Sequence, residues 1–366
     1  MPEYSSPVLC IGVISLDFIY FLFIAVFLIG ARFFIKGINP DYISHRQTQC
    51  INGFFVLLVF IQHYKSYVKI EQFDMVYDAI GRWNGQLIVV PFLFFSGYGI
   101  MLSITKKGTA YVNSIMTKRF PKIWVHFAIA VSLFVITNAI MGKSYDPWVI
   151  FFSFFGWEGI GNSNWYIFDT LVLYILTFFS FRFVGKNYKS GLYIMGLLTL
   201  AFIVTMSFFK QPYWYNTAIS YFIGMFFAVI EPHFRKWISA SHMNYLIFAT
   251  VGIIAIVFSS MDKNKMTAYE VFVLAGIVLL LAISLKVKFG NPILSFLGKN
   301  VFEIYILQRI PMIVFRDIIP DKYVYFIVCF AATIPLALLF RFVEKGADWI
   351  IDGKFLKKKS KTDIKA

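Results

Sequence analysis

The chain has 366 residues, of which 59% are hydrophobic and only 14% are charged. Soluble domains usually carry about 25% charged residues, because much of their surface must face water. Phe alone occurs 44 times, and the mean hydropathy is +0.71. This composition excludes a soluble enzyme, a disordered regulator and a fibrous protein, and it predicts an integral membrane protein.

The chain is basic, with 34 Lys and Arg residues against 19 acidic residues and a net charge of +15. In a membrane protein such an excess is typical of cytoplasmic loops that lie beside anionic lipid, so we expect no nucleic-acid partner. The three cysteines, Cys10, Cys50 and Cys329, are far apart and form no CxxC motif. The sequence therefore predicts neither a disulfide framework nor a metal site.

Apolar runs of about 20 residues, the length of a membrane-spanning helix, recur along the chain. We predict an all-α polytopic protein with about 11 transmembrane helices. The predicted spans are Val8–Phe34, Asn52–Val68, Gly85–Ile104, Lys122–Met141, Trp165–Arg182, Gly191–Phe209, Trp214–Ile230, Asn244–Ser260, Ala268–Leu285, Ser295–Phe315 and Tyr323–Val343.

The charges of the loops orient these spans. With the amino terminus outside, 24 Lys and Arg residues fall on the cytoplasmic side and 10 on the outer side, as the positive-inside rule requires. We therefore expect the amino terminus outside and the carboxyl terminus in the cytoplasm. Residues 1–36 are expected to form an accessory helix, residues 45–345 a single membrane domain, and residues 346–366 a basic cytoplasmic tail.

Polar residues inside membrane spans are costly and are therefore candidates for function. His63 lies near the outer end of the second span, and Asn52 lies eleven residues earlier. Eleven helical residues at 100° each make about three full turns, so both side chains face the same neighbours about 16 Å apart. An interfacial histidine that bonds to a loop remains the alternative interpretation of His63.

Small residues lie within the third span, and basic residues lie at the cytoplasmic start of the fourth. Ser96 and Gly97 present small side chains at a helix surface, which packing alone could explain. The segment Lys118–Trp124 begins the fourth span with three basic residues. Positive-inside topology explains these charges, but they are also suited to bind the phosphates of a cytoplasmic ligand.

Two later spans carry polar residues that could bind a substrate. Trp165 and Asp169 are four residues apart and share a helix face, where an indole and a carboxylate could hold a sugar. A membrane anchor that is ion-paired to Arg309 is the structural alternative. Tyr305, Gln308 and Arg309 also share a face by their three- and four-residue spacing.

Taken in order, these segments resemble the acyltransferase 3 family of bacterial membrane O-acyltransferases over roughly residues 45–345. The first core span of that family carries an Arg, ten intervening residues and a His; here His63 matches, while Asn52 stands in place of the Arg. The other matches are Ser96-Gly97-Tyr98, the pair Arg119 and Lys122 for an Arg-x-x-Arg element, Trp165, and Tyr305-Ile306-Leu307-Gln308.

The departures from the family pattern concern the donor. Asn52 is neutral and cannot supply the ionic contact of an arginine, and Lys122 binds as a point charge rather than as a planar fork. Either a neighbouring base such as Arg46 substitutes, or this chain holds its donor differently.

The resemblance implies a multi-pass protein of the bacterial plasma membrane that moves an acetyl group from cytoplasmic acetyl-CoA to a hydroxyl outside. The acceptor would be a surface polysaccharide or its lipid-linked precursor, with His63 as general base or covalent acyl carrier. Neither a metal nor a permanently bound cofactor is expected, and the sequence leaves homo-oligomer formation open. The remaining implied contacts are Asn52, Lys118, Arg119 and Lys122 for the donor, and Ser96, Trp165, Asp169, Tyr305 and Gln308 for the acceptor.

Two other functional classes fit a basic, aromatic-rich polytopic chain. A glycan polymerase is expected to have a larger outer loop with several basic residues, whereas the two largest outer segments here have only about twenty residues each. A lipid-linked-sugar flippase or another transporter is expected to carry polar groups at the midplane of discontinuous helices, whereas His63 and Asp169 are predicted to lie towards the outer face.

Overall fold

A computed structural model of the protein describes residues 16–70, 74–185 and 187–353. Nearly all of its regular structure is helical, as the apolar runs predict. The helices are α1 Asp17–Leu28, α2 His45–Tyr64, α3 Met75–Asn84, α4 Val90–Lys107, α5 Thr109–Ser114, α6 Phe120–Ile140, α7 Pro147–Ser153, α8 Trp165–Arg182, α9 Tyr188–Phe209, α10 Ile219–Ala240, α11 His242–Ser260, α12 Met266–Lys286, α13 Pro292–Lys299, α14 Val301–Leu307, α15 Arg309–Phe315 and α16 Lys322–Ile351.

Within the described residues, eight helical segments are long and apolar enough to cross a membrane. They are Met75–Lys107, Thr109–Ile140, Trp165–Arg182, Tyr188–Phe209, Pro212–Ala240, His242–Ser260, Met266–Lys286 and Lys322–Ile351. This confirms a polytopic all-α membrane protein. The total of eleven spans and the orientation of the termini remain predictions, and the predicted first span, Val8–Phe34, lies partly outside the described residues.

The predicted span Ser295–Phe315 is divided into the three short helices α13, α14 and α15. The break before α15 has a local cause. Pro311 has no N–H to donate to the Leu307 carbonyl, and its ring crowds the preceding turn. Gln308 therefore lies at the junction of α14 and α15, where a helix end can present its side chain to a neighbouring helix.

Glycines allow two pairs of helices to pack at very short distance. A Cβ atom on Gly97 of α4 would overlap the carbonyl oxygen of Tyr221 in α10, and one on Gly224 of α10 would overlap that of Phe94. The same relation joins α2 to α13, where Gly53 faces the carbonyl of Leu294. Small residues at helix interfaces let backbones approach in this way, so these contacts fix the helices that carry the site.

The first turn of α2 is anchored by side-chain hydrogen bonds. Two short antiparallel strands, β1 Arg32–Phe33 and β2 Val287–Lys288, pair beside it. The Gln47 amide donates to the Val287 carbonyl at 2.8 Å and accepts from the Phe289 N–H at 2.9 Å. Because Gln47 is buried, these bonds hold the start of α2 against the end of α12.

The last described helix extends further than the sequence predicts. The predicted tail begins at residue 346, but α16 continues to Ile351. Lys122 of α6 lies 3.4 Å from Asp348 and 3.1 Å from Asp352, and these ion pairs hold the end of the helix in place. The basic residues from 354 onward lie outside the described part of the chain.

Candidate active site

His63 lies in the last turn of α2 and contacts residues from two distant parts of the chain. Its Nδ1 is 3.0 Å from the Gln308 amide nitrogen and 3.5 Å from the Ser163 hydroxyl oxygen. Its ring centroid is 5.9 Å from that of Tyr305. The histidine is therefore fixed on one edge by side chains that can hydrogen-bond, as a positioned acid–base group requires.

Two tyrosine rings follow His63 in a row of contacts, Tyr305 beside the histidine and Tyr166 beside Tyr305. Tyr305 is 3% exposed, and its ring lies 5.1 Å from that of Tyr166, measured between centroids. Both tyrosines line a cavity of about 540 Å³ that extends along the first half of α2. His63 itself does not line this cavity, which we call the basic cavity, but Tyr305 on its wall lies beside the histidine ring.

The basic cavity carries an excess of positive charge. Its lining includes the three basic residues Arg119, Lys299 and Arg341, and none of the described lining residues is acidic. Asn52 and Ser96 also line it, and the buried Asn52 Oδ1 has no hydrogen-bond partner among the described residues. Such a cavity is suited to a ligand that has negatively charged groups and an N–H donor.

Two of the four predicted donor contacts do not line this cavity. Lys118 is exposed, and Lys122 is paired with the carboxylates at the end of α16. Arg46, considered as a substitute for the missing arginine, does not line the cavity either. Lys299 and Arg341 supply the additional cations instead. Arg341 donates to the Asn300 side chain at 2.8 Å, and its Nε lies 4.0 Å from the Glu303 carboxylate.

A second cavity, of about 840 Å³, lies near the other end of α2. Two loop segments form most of its wall, so we call it the loop cavity. Its described lining residues are Glu158, Gly159, Gly161, Asn162, Asn164, Ser207, Phe208, Phe209, Lys210, Gln211, Pro212, Tyr213, Trp214, Tyr215 and Arg309. Arg309 directly follows Gln308 in the chain, so this cavity is connected to His63 through the Gln308 contact.

Trp165 and Asp169 do not line the loop cavity. Trp165 contacts Tyr213, which does line it, with 6.3 Å between ring centroids. Asp169 is fully buried, and neither carboxylate oxygen has a hydrogen-bond partner among the described residues. The alternative pairing of Asp169 with Arg309 is absent from the described ion pairs, because Arg309 bonds to Tyr67 and to the Asn162 carbonyl instead.

Several residues at the site were not singled out by the sequence. Lys299 and Arg341 counted only as cytoplasmic positive charges, and Ser163 was one polar residue among several in a loop. Lys210 could have been noticed in the sequence, because aromatic residues surround it in the chain. In the structure its Nζ lies 4.0 Å from the Trp157 ring centroid. The other positions depend on contacts between distant segments, which spacing alone does not show.

Comparison with known protein families gives a match over most of the chain. The family model of the acyltransferase 3 domain, described as an acyltransferase domain, matches residues 49–342. Neither the comparison with curated proteins nor that with solved structures gives a match.

Proposed function

Because the chain belongs to the acyltransferase 3 family, we propose that it moves an acetyl group from cytoplasmic acetyl-CoA to a hydroxyl of a surface glycan or of its lipid-linked precursor. The observation that carries this proposal is that His63, which itself lines neither cavity, contacts Tyr305 on the wall of the basic cavity and Gln308, whose chain neighbour Arg309 lines the loop cavity. Coenzyme A is too highly charged to cross hydrocarbon. A transfer between compartments therefore needs a reactive group that both cavities can reach.

The basic cavity is the proposed donor site. Arg119, Lys299 and Arg341 would bind the phosphates of coenzyme A by charge-assisted hydrogen bonds. Its pantetheine arm contains two secondary amides, each with one N–H donor. The unpartnered Asn52 Oδ1 can accept one of these donors, which gives the neutral residue at this position a role that an arginine could not fill.

The proposed chemistry is general-base transfer at His63. The imidazole takes the proton of the acceptor hydroxyl, and the hydroxyl oxygen attacks the thioester carbonyl carbon. The new C–O bond forms, the C–S bond breaks, and the thiolate receives the proton from the imidazolium. The Tyr305 phenol, between the basic cavity and His63, is placed to donate a hydrogen bond to the carbonyl oxygen as negative charge develops.

The tautomer of His63 decides which ring nitrogen serves as base. Reaction through Nε2 requires the proton on Nδ1, where an oxygen must accept it. The structure places Gln308 Nε2 against Nδ1, so the Gln308 amide supplies that oxygen only when it is turned by about 180° to bring its unpartnered Oε1 to the ring. The Ser163 hydroxyl at 3.5 Å is a second acceptor. Gln308 and Ser163 are therefore proposed as positioning residues for His63.

The proposal is tested by replacing His63 in the purified, detergent-solubilised protein. We expect His63→Ala to lower acetyl transfer about 100-fold or more, within the usual contribution of general acid–base catalysis. The measurement is acetyl ester on the acceptor together with release of free coenzyme A. Transfer near the wild-type rate would remove His63 from the reaction.

A matched control separates loss of chemistry from loss of fold. His233 is an exposed histidine of α10 that lines neither cavity. His233→Ala should retain full transfer, and both variants should elute as monodisperse protein with unchanged thermal midpoints. A His63→Ala protein that is unstable as well as inactive would instead favour a structural role for the histidine.

A further inference from the structure

Arg309 is a fixed cation beside the reactive histidine. Its Nε donates to the Tyr67 hydroxyl at 3.1 Å, and its Nη1 donates to the Asn162 carbonyl at 3.4 Å. The guanidinium carbon also lies 5.5 Å from the Tyr67 ring centroid. These partners orient the guanidinium, but all of them are neutral.

The charge of Arg309 is not compensated inside the loop cavity. The loop cavity has one other cation in its lining, Lys210, and one acidic residue among its described lining residues, Glu158. Lys210 Nζ lies 3.4 Å from the Glu158 carboxylate. Across the described residues, no carboxylate lies within ion-pair distance of Arg309. The two cations and one carboxylate of the lining leave one positive charge, and that charge belongs to Arg309.

A guanidinium in this setting favours a negatively charged ligand. It cannot lose its proton, and its planar set of N–H donors matches carboxylate and phosphate. Tyr67 and Asn162 use Nε and Nη1, which leaves the donors on Nη2 to bind a ligand. A purely neutral sugar would leave this charge without a counter-ion in the loop cavity.

We propose that Arg309 binds an acidic group of the acceptor, a carboxylate or a phosphate, so that the preferred acceptor is an anionic glycan. The inference rests on the proposed function and deepens it by assigning an acceptor class. Since Gln308 precedes Arg309 and contacts His63, an anion held at Arg309 would direct a nearby hydroxyl of the same glycan towards the histidine.

The test is a binding titration that needs no turnover. The probes are trigalacturonate and its carboxyl-reduced neutral counterpart, trigalactose, and the readout is tryptophan fluorescence, because Trp214 lines the loop cavity. We expect the wild type to bind trigalacturonate at least about ten-fold more tightly at low salt. The difference should shrink as salt is raised, because exposed charge contacts are screened.

A second pair of probes distinguishes the two acidic groups. Maltotriose 1-phosphate is compared with maltotriose under the same conditions. A preference for the charged member of either pair supports the proposal and identifies which anion is bound. Equal affinity within both pairs in the wild type, absence of binding included, would overturn it.

Substitutions assign the preference to Arg309. Arg309→Gln should abolish it and Arg309→Lys should retain part of it, because lysine keeps the charge but not the fork. Arg316→Gln is the matched control, since Arg316 is an exposed arginine seven residues later that lines neither cavity. If Arg309→Gln still prefers the charged probe, the proposal is overturned. If that variant does not fold, the proposal is tested by Arg309→Lys, which should show a reduced preference, and by the wild-type preference, which should fall as salt is raised.

Kinetics separate this inference from the proposed function. If Arg309 binds the anion, Arg309→Gln should raise the KM for the charged probe and leave the KM for the neutral probe unchanged. An equal fall in kcat for both probes would indicate that Arg309 stabilises the transition state instead, and would overturn the acceptor assignment. Selective binding without any acetyl transfer would contradict the proposed function and leave the anion site standing.

Discussion

Arg119 and Lys122 are three residues apart, yet they have different partners. Arg119 lines the basic cavity, whereas Lys122 is ion-paired with Asp348 and Asp352. We expect Arg119→Gln to weaken coenzyme A binding about ten-fold at low salt, as loss of a charge-assisted contact does. Calorimetric titration of the detergent-solubilised protein measures the change.

Lys122→Gln is the matched comparison for Arg119. It should change the affinity for coenzyme A less than about two-fold and should lower the thermal midpoint, because it releases the end of α16. Equal weakening of donor binding by both substitutions would show that the whole basic segment binds the donor, as the sequence alone suggests.

Asp169 is a buried carboxylate without a hydrogen-bond partner among the described residues. Burying an unpaired charge is costly, so Asp169→Asn should keep or raise the thermal midpoint. Since Asp169 lies three residues from Tyr166 on the same helix face, and Tyr166 lines the basic cavity, we expect a change in kcat. A raised acceptor KM at unchanged kcat would instead support the sequence-based prediction that Asp169 binds the sugar.

Single residues were predictable where chemistry makes them unusual. A histidine inside an apolar span is a candidate by itself, and helical spacing placed Asn52 and His63 on one helix. The partners of these residues were not predictable in the same way. Gln308 lies 245 positions from His63 along the chain, and only the packing of α14 and α15 against α2 brings the two together.

At the scale of elements, the pairing of α4 with α10 depends on glycine. Gly97→Ala should destabilise the protein by roughly 1–3 kcal/mol, the usual cost of overpacking, because its new Cβ would overlap the Tyr221 carbonyl. Thermal unfolding in detergent measures the effect.

Gly99→Ala is the control in the same helix. Nothing lies within 4 Å of a Cβ built at Gly99, so alanine there should be neutral or stabilising by up to about 1 kcal/mol. Equal destabilisation by both substitutions would indicate that α4 itself, and not its contact with α10, is sensitive to alanine.

Element boundaries show where sequence periodicity stops being informative. Apolar runs located most of the long helices because membrane spans must satisfy their backbone hydrogen bonds internally. The span predicted from Ser295 to Phe315 is nevertheless broken twice. Pro311 was visible in the sequence as a helix breaker. The position of Gln308 beside His63 depends on how the resulting short helices pack.

At the scale of the whole molecule, composition and charge predicted the membrane location but not the cavities. Lys299 and Arg341 looked like ordinary cytoplasmic charges, and they face the same cavity as Arg119 only in the folded chain. The loop cavity likewise joins segments about fifty residues apart. Cavities of this kind form where separate spans pack together, so no local sequence pattern predicts them.

Transfer across a membrane is the central claim, and sealed proteoliposomes test it most directly. Acetyl-CoA with a labelled acetyl group is trapped in the lumen, and the glycan acceptor is supplied outside. We expect labelled ester on the external glycan with the wild type and His233→Ala, and at most about one hundredth as much with His63→Ala. Labelled ester that forms only when donor and acceptor share one compartment would contradict it.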